Sequence, residues 1–205
     1  DNVAFGFGAM QNGTTSARSV ALGTASLSNS NGEGNTAIGN FAMVSNNAGN
    51  FNTAVGVAAL SQNIDASGNT AIGAGAMENL TTGFANVAIG NQALVNSNGL
   101  GNIGIGTSAL QNVQSQQNIG VGFSVMTSLD GSAGGPNTGR NTSIGSFSLN
   151  AMTEGTNNIN MGTSGLVALT NGNRNVNLGV FSGLGLSTGD DNTFVGYSAG
   201  NNISN

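Results

Sequence analysis

The stretch GNTAIG occupies residues 34–39 and recurs unchanged at residues 68–73. A variant, NTAVG, starts between the two copies at Asn52, so the repeat distance is 17 residues rather than 34. Aligning the whole chain on this motif gives the template N-x-A-I-G-x-x-A-L, whose nine positions we number 1 to 9. A fixed short period of this kind is typical of a solenoid.

The template covers the chain as twelve consecutive repeats. Neighbouring repeats start 16 or 17 residues apart, except for one interval of 23 residues. Position 1 is Asn in all repeats but one, and the twelve starts are Asn2, Ser19, Asn35, Asn52, Asn69, Asn86, Asn102, Asn118, Asn141, Asn158, Asn175 and Asn192. We therefore expect residues 1–205 to form a single repeat array.

Three positions of the template are nearly invariant. Position 4 is always apolar, and position 9 is Leu or Met in all repeats except those with Gly183 and Gly200. Position 5 is Gly throughout: Gly6, Gly23, Gly39, Gly56, Gly73, Gly90, Gly106, Gly122, Gly145, Gly162, Gly179 and Gly196. A sharp corner with positive φ explains such a column, because only Gly adopts this conformation at little cost.

Each repeat has the pattern of two short strands. Positions 2 to 4 are apolar or β-branched and alternate with a period of two, which favours a strand. Positions 7 to 9 form a second short apolar run, and Asn, Ser, Thr and Gly follow, as is typical of turns. Because one such unit cannot bury a core alone, we expect an all-β, parallel β-solenoid (β-roll) of about twelve coils. The Asn amides at position 1 are expected to stack as a hydrogen-bonded ladder.

Composition excludes several classes of function. Charged residues make up 5% of the chain, and the net charge is −5. This balance argues against a nucleic-acid partner, which needs a basic surface, and against an anionic membrane surface. The chain has no His and no Cys, and no apolar run is long enough for membrane insertion. We expect no enzymatic activity, because no Ser has a His or Lys partner that could act as a base. We also expect no metal site, because the usual zinc ligands Cys and His are absent, and no cofactor.

Two local features qualify this interpretation. Asp190 and Asp191 are the one adjacent acidic pair, and weak cation binding there is an alternative to a solvated surface. The long interval contains TSLDGSAGGPNTGR (residues 127–140), which carries the single proline. This insertion is either a bulging loop or a contact loop on a rigid scaffold. Its candidate contact residues are Asp130, Pro136 and Arg140.

The NTAIG, NTAVG and NVAIG motifs followed by Ala-Leu resemble two groups of fibrous proteins. They are similar to the head repeats of trimeric autotransporter adhesins of the YadA-like type. They resemble more closely the longer NTAIGxxAL repeats of phage tail fibres and related surface fibres, because the 16–17-residue period is longer than that of the adhesin heads. The resemblance covers essentially the whole chain. It implies left-handed β-rolls, three chains side by side, and a role in adhesion or receptor binding.

The residues at position 3 lead to an expectation about assembly. Positions 2, 4 and 9 carry the large apolar groups, so we place them inside the roll and position 3 outside. Small residues on an outward strand position indicate that another surface comes close. We therefore expect a homotrimer whose contact face contains Ala4, Ala21, Ala37, Ala54, Ala71 and Ala88.

The function expected from these features is that of a structural or adhesive segment. It would belong to an extracellular or virion fibre, such as a tail fibre or a surface adhesin, with a cell-surface or glycan receptor as its partner. A self-assembling extracellular filament subunit is one alternative. An ice- or surface-binding solenoid is another, although the mixed Val, Ile and Thr at position 2 do not form the unbroken Thr row that an ice face needs.

Overall fold

The computed structural model describes residues 1–13, 17–129 and 139–203, and this part of the chain contains strands and turns but no helix. Twelve three-residue strands form one parallel sheet in chain order, β1 to β12. Their bounds are Val3–Phe5, Val20–Leu22, Thr36–Ile38, Thr53–Val55, Thr70–Ile72, Val87–Ile89, Ile103–Ile105, Ile119–Val121, Thr142–Ile144, Ile159–Met161, Val176–Leu178 and Thr193–Val195. Each strand is positions 2 to 4 of one repeat, so the parallel β-solenoid is confirmed, and we call the repeats coils 1 to 12. The second strand expected at positions 7 to 9 is wrong: these residues lie in turns, because φ is positive at positions 7 and 9 of each coil.

The register of the sheet follows the template without a slip. Thr36 of β3 pairs with Thr53 of β4, and the same position pairs across every strand boundary. The 23-residue interval does not interrupt the sheet, because Ile119 of β8 pairs with Thr142 of β9. The extra residues are therefore accommodated outside the strands. The left-handed sense implied by the family resemblance stays a prediction.

The strands face the opposite way from our expectation. Position 3 points into the roll: Ala21, Ala37, Ala54, Ala71 and Ala88 are all fully buried in the single chain. Ala4 is exposed only because it lies in the first coil, which has a neighbour on one side. Positions 2 and 4 point outward and are half-buried or exposed in every strand. The alanine column therefore cannot be the contact face of a trimer.

The narrow width of the roll explains this arrangement. The long side chains at position 9, such as Met43, Leu60 and Leu94, are fully buried, as expected, and fill most of the interior. Little room remains opposite them, and the strand centre accordingly carries Ala or Gly in the first eight coils. A further apolar column lies three residues after position 9, at position 12 of the repeat, beyond the nine-residue template. Its buried members are Leu80, Val113, Leu129, Met152, Leu169 and Leu186.

Backbone conformation explains why position 9 is Leu or Met and never Ile or Val. The φ angle at this position is positive in every coil, for example 47° at Met43 and 50° at Leu60. Branching at Cβ is strongly disfavoured in the left-handed region, whereas unbranched Cβ atoms are tolerated at a modest cost. Position 9 therefore selects for large apolar residues without β-branching.

The corner glycines are required for two separate reasons. Gly73 has a φ of 135°, which confirms the predicted positive φ, and the same region is occupied at position 5 of all twelve coils. The corners also stack tightly, since a Cβ on Gly56 would lie 2.5 Å from the carbonyl oxygen of Gly73. In coils 1 to 11, any side chain at this position would therefore collide with the backbone of the next coil.

The Asn residues at position 1 form the predicted ladder. They are buried from Asn35 to Asn175, and each Oδ1 accepts a hydrogen bond from the backbone N–H at position 1 of the following coil. With Ser19 Oγ in the same role, eleven such bonds of 2.8–3.1 Å join all twelve coils. The Nδ2 groups are also paired, as in Asn69, which donates to the carbonyl of Gly83 at 2.9 Å.

Coil 12 departs from the template in a compensated way. Phe194 occupies position 3, where the other coils have Ala, Gly, Ser or Asn, yet it is only 7% exposed. Its space comes from the two coils that lack Leu or Met at position 9. A Cβ on Gly183 would lie 2.7 Å from Leu166 Cδ2 and 3.2 Å from the Phe194 ring, and a Cβ on Gly200 would collide with the ring. The ring of Phe194 thus replaces two missing position-9 side chains.

A substitution at the corner tests the need for Gly. Gly73→Val should destabilise the protein by well over ~1 kcal/mol, because it places a β-branched residue at positive φ and against the backbone of Gly90. The urea unfolding midpoint measures the change. Thr70→Val, at an outward position where other coils carry Val, should stay within about 0.5 kcal/mol. An unchanged midpoint for Gly73→Val would contradict this account of the corner.

The exchange between Phe194 and Gly183 can be tested with a double-mutant cycle. Phe194→Ala should cost about 3 kcal/mol by opening a cavity, and Gly183→Leu about 2 kcal/mol by overpacking. Together they restore the ordinary pattern of Ala at position 3 and Leu at position 9. The double variant should therefore be at least about 1 kcal/mol more stable than the sum of the single effects. Simple additivity in chemical unfolding would show that the two sites do not share space.

Candidate interaction surfaces

The largest apolar surface is the outward side of the sheet. We call positions 2 and 4 of strands β1 to β12 the outer sheet face. Position 2 is Val, Ile or Thr and position 4 is Ile, Val, Leu, Met or Phe, and no strand has a charged residue at either position. The position-4 side chains remain well exposed, with Ile72 at 39% and Ile89 at 38%.

This face is unusual for a parallel sheet. Parallel sheets are normally covered on both sides, whereas here only the inner side is packed. Eleven intervals of about 4.8 Å between twelve strands make the face about 53 Å long. A continuous, uncharged apolar strip of this length marks an interaction surface rather than a scatter of single exposed side chains.

A second surface lies at the corner that follows the strands, at positions 6 and 7. Phe123 of coil 8 and Phe147 of coil 9 contact each other edge to face, with ring centroids 5.2 Å apart. Phe181 of coil 11 and Tyr197 of coil 12 form a similar pair at 6.1 Å. All four side chains are at least 40% exposed. We call them the aromatic corner.

The repeat template did not predict the aromatic corner, although the sequence contains a pattern that indicates it. The chain has nine Phe, one Tyr and no Trp. Six of these ten aromatic residues occupy position 6 or 7, namely Phe7, Phe41, Phe123, Phe147, Phe181 and Tyr197. Counting residue types at the variable positions, rather than at the invariant ones, would have revealed this concentration.

The arginines share one place in the fold. Arg18, Arg140 and Arg174 each directly precede position 1, at φ between 55° and 58°. Arg18 forms an ion pair with Glu33 in the next coil at 2.7 Å. Arg140 Nε donates to Gln117 Oε1 at 3.2 Å. The arginines thus lie two residues before a strand and occupy neither of the two positions that form the outer sheet face.

The acidic pair considered for cation binding is occupied by Arg174. Its Nε and NH2 groups donate to the two carboxylate oxygens of Asp191 at 2.6 and 2.8 Å, and Asp190 lies at 3.6 Å. The hydrogen bond from Arg174 holds the pKa of Asp191 below its ordinary value. Across the described ranges 1–13, 17–129 and 139–203, no cluster of three acidic residues is placed to hold a metal ion.

Residues 127–129 and 139–140 of the insertion belong to the described part of the chain. Asp130 and Pro136 lie outside the described residues, whereas Arg140 lies at the exposed end of the insertion next to Asn141 of the buried ladder. A contact role for this loop stays a prediction. The structure does not bring the predicted site residues together. The corner glycines stack along the corner that follows the strands, the alanine column is buried inside the roll, and Arg140 lies directly before Asn141.

Comparisons with known proteins do not identify a family. No protein-family model matches the chain, and neither a curated protein nor a solved structure gives a significant match. Within the described part of the chain, no helix suited to crossing a membrane is found. The resemblance to tail-fibre and adhesin repeats therefore rests on the motif and remains a prediction.

The Arg174–Asp191 pair predicts a pH dependence. The pKa of Asp191 is lowered on folding, so its contribution to stability is present at neutral pH and is lost as the pH falls through that lowered pKa. In Arg174→Gln, a carboxyl titration followed by NMR should shift the midpoint of Asp191 to higher pH. Arg18→Gln, at the end of coil 1, should leave it unchanged. Equal midpoints in the wild type and in Arg174→Gln would exclude the pairing in solution.

Proposed function

We propose that this protein is a non-enzymatic structural and adhesive segment of an extracellular or virion fibre, assembled from parallel copies through the outer sheet face. The observation that carries the proposal is the length and composition of that face. It is apolar or Thr at both outward positions of all twelve strands and carries no charge. The sequence resemblance to fibre repeats supports the same assignment.

The occupant of the outer sheet face is proposed to be a second and third copy of the chain. Copies aligned in parallel would match one coil to one coil along the whole length, because every chain has the same strand spacing. Three strips that face a common axis would remove the exposed position-4 side chains from water, as in a homotrimer. The contact face is therefore revised from the alanine column to positions 2 and 4.

The remaining surface suits a fibre that works outside the cell or on a virion. Away from the sheet, carboxamides pair from coil to coil, as in Gln62 to Asn79 at 2.9 Å and Asn79 to Asn96 at 2.6 Å. Such a surface is polar but almost uncharged, and the rigid array displays it at constant spacing. We propose that a cell-surface or glycan receptor is recognised on this exposed side.

A charge on the outer sheet face should separate the copies. Ile89→Glu would place three carboxylates near the axis of a trimer, while in a single chain the side chain is exposed and should be tolerated. Light scattering should give about three times 20.1 kDa for the wild type and a value near 20.1 kDa for the variant.

The control for this experiment carries the same charge elsewhere. Thr82 is exposed in the polar turn of coil 5, so Thr82→Glu should keep the mass of the wild type. Circular dichroism should show the same β-sheet content for all three proteins. A wild-type mass near 20.1 kDa would refute assembly through this face by the segment itself.

A further inference from the structure

The aromatic corner consists of two pairs of rings with one coil between them. Phe123 and Phe147 precede coil 10, and Phe181 and Tyr197 follow it. Coil 10 itself has Thr163 and Ser164 at positions 6 and 7. The order along the roll is therefore two exposed rings, two small hydroxyl side chains, and two exposed rings.

The backbone holds this arrangement at a defined spacing. Phe147 N–H donates to the Phe123 carbonyl at 3.0 Å, and Phe181 N–H donates to the Thr163 carbonyl at 3.1 Å. Ser164 N–H completes the connection with a bond of 2.9 Å to the Ser146 carbonyl. Phe147 and Phe181 are thus two coils apart, or about 9.6 Å on the usual strand spacing. Coil 10 has only the small side chains of Thr163 and Ser164 at these positions, so no ring lies between the two pairs. We call this interval the gap between the pairs.

Packing of the core does not explain why aromatic residues occupy these positions. Phe147 and Phe181 have φ angles of 58° and 57°, a region that costs an ordinary residue about 1–2 kcal/mol. Their side chains are 45% and 40% exposed, so burial returns only part of what full burial of a Phe would. Other coils have Ser at the same position, including Ser124, Ser164 and Ser198. Because the positive φ at position 7 is common to all coils, it does not single out these two rings. The unexplained feature is the large exposed ring at a position that Ser can fill.

The chemistry of the rings and of the gap between them defines the class of ligand. The four rings are 40–76% exposed, so part of their surface can stack against a flat apolar group. Hydroxyl groups of Thr163, Ser164 and Tyr197 can exchange hydrogen bonds with a polyol. No charged residue occupies position 6 or 7 in any coil, and the chain carries a net charge of −5, which disfavours an anionic ligand.

We propose that the aromatic corner of coils 8 to 12 binds a neutral glycan. Sugar rings stack their C–H faces on Phe147 and Phe181, while their hydroxyl groups form hydrogen bonds with Thr163 and Ser164 in the gap between the pairs. This inference rests on the adhesive role proposed above and specifies it, since it names both the class of receptor and the part of the array that contacts it.

A contact between copies is the competing explanation for these rings. Side-by-side packing of whole arrays needs an apolar strip in every coil, and the outer sheet face provides one. At the corner, however, coils 5 and 6 carry Ala74 and Asn91 at position 6, with Gly75 and Gln92 at position 7. An aromatic cluster confined to a few coils is better suited to a local ligand than to an assembly contact.

The test uses native gels that contain a soluble neutral polysaccharide: β-1,3-glucan, α-mannan or galactomannan in separate gels, with alginate as a polyanionic comparison. The protein carries a net charge of −5 and migrates without a binding partner towards the anode. Retardation by at least one neutral polysaccharide, but not by alginate, is expected. In Phe147→Ser/Phe181→Ser the apparent Kd should rise at least about tenfold.

The variants have matched controls within the chain. Ser is native at position 7 of other coils, so the double variant should keep the fold. Phe41→Ser makes the same change at position 7 of coil 3, outside the aromatic corner, and should leave retardation unchanged. Absence of retardation by every neutral polysaccharide, or equal retardation of the double variant, would overturn the proposal.

Light scattering on the same samples separates this inference from the proposed function. Loss of retardation with an unchanged mass is the expected result for the double variant. If the mass of the double variant falls instead, the aromatic corner is a contact between copies, and glycan binding there is wrong while fibre assembly stands. A monomeric wild type that still binds the polysaccharide would refute the assembly alone.

Discussion

The structure depends on one constraint: each coil must lie one strand spacing, about 4.8 Å, from the next along the whole roll. At the corner this distance brings Gly56 so close to Gly73 that no Cβ fits between them. Inside the roll it stacks like on like, so Ala71 lies between Ala54 and Ala88. The repeated positions of the template are therefore occupied by residues that can pack against the same residue type in the next coil at this spacing.

Much of the fold could be predicted because this constraint leaves a regular trace in the sequence. The strands at positions 2 to 4, the parallel order, the positive φ at Gly73 and the Asn ladder all follow from column composition and period. The apolar run at positions 7 to 9 was wrongly predicted as a second strand, because its composition does not reveal the positive φ of its residues. The direction in which the strand faces did not follow. A period of two is the same whichever face is buried, and the sizes of Ala71 and Ile72 suggested the opposite of what the structure shows. The missing information was the space taken by Met77 at position 9.

The surfaces were harder to predict than the interior for a related reason. Interior positions are constrained by their own copies, so their residues repeat. The aromatic corner lies at positions whose residues change from coil to coil, and a repeat template discards such positions as noise. Phe147 and Phe181 became visible as a group only when the coil spacing placed them on one edge of the roll. In an array of this type, departures from the repeat are where individual function is to be sought.

The Asn ladder also has a direction. Each Oδ1 accepts a hydrogen bond from the N–H of the following coil, so Asn86 serves Asn102 and Asn102 serves Asn118. Removing one amide would therefore leave an unpaired buried donor in the next coil rather than in its own. The ladder crosses the 23-residue interval with the same geometry, at 3.1 Å between Asn118 and Asn141. The alignment of successive coils is thus carried by the interior, which leaves the lengths of the external loops free to diverge.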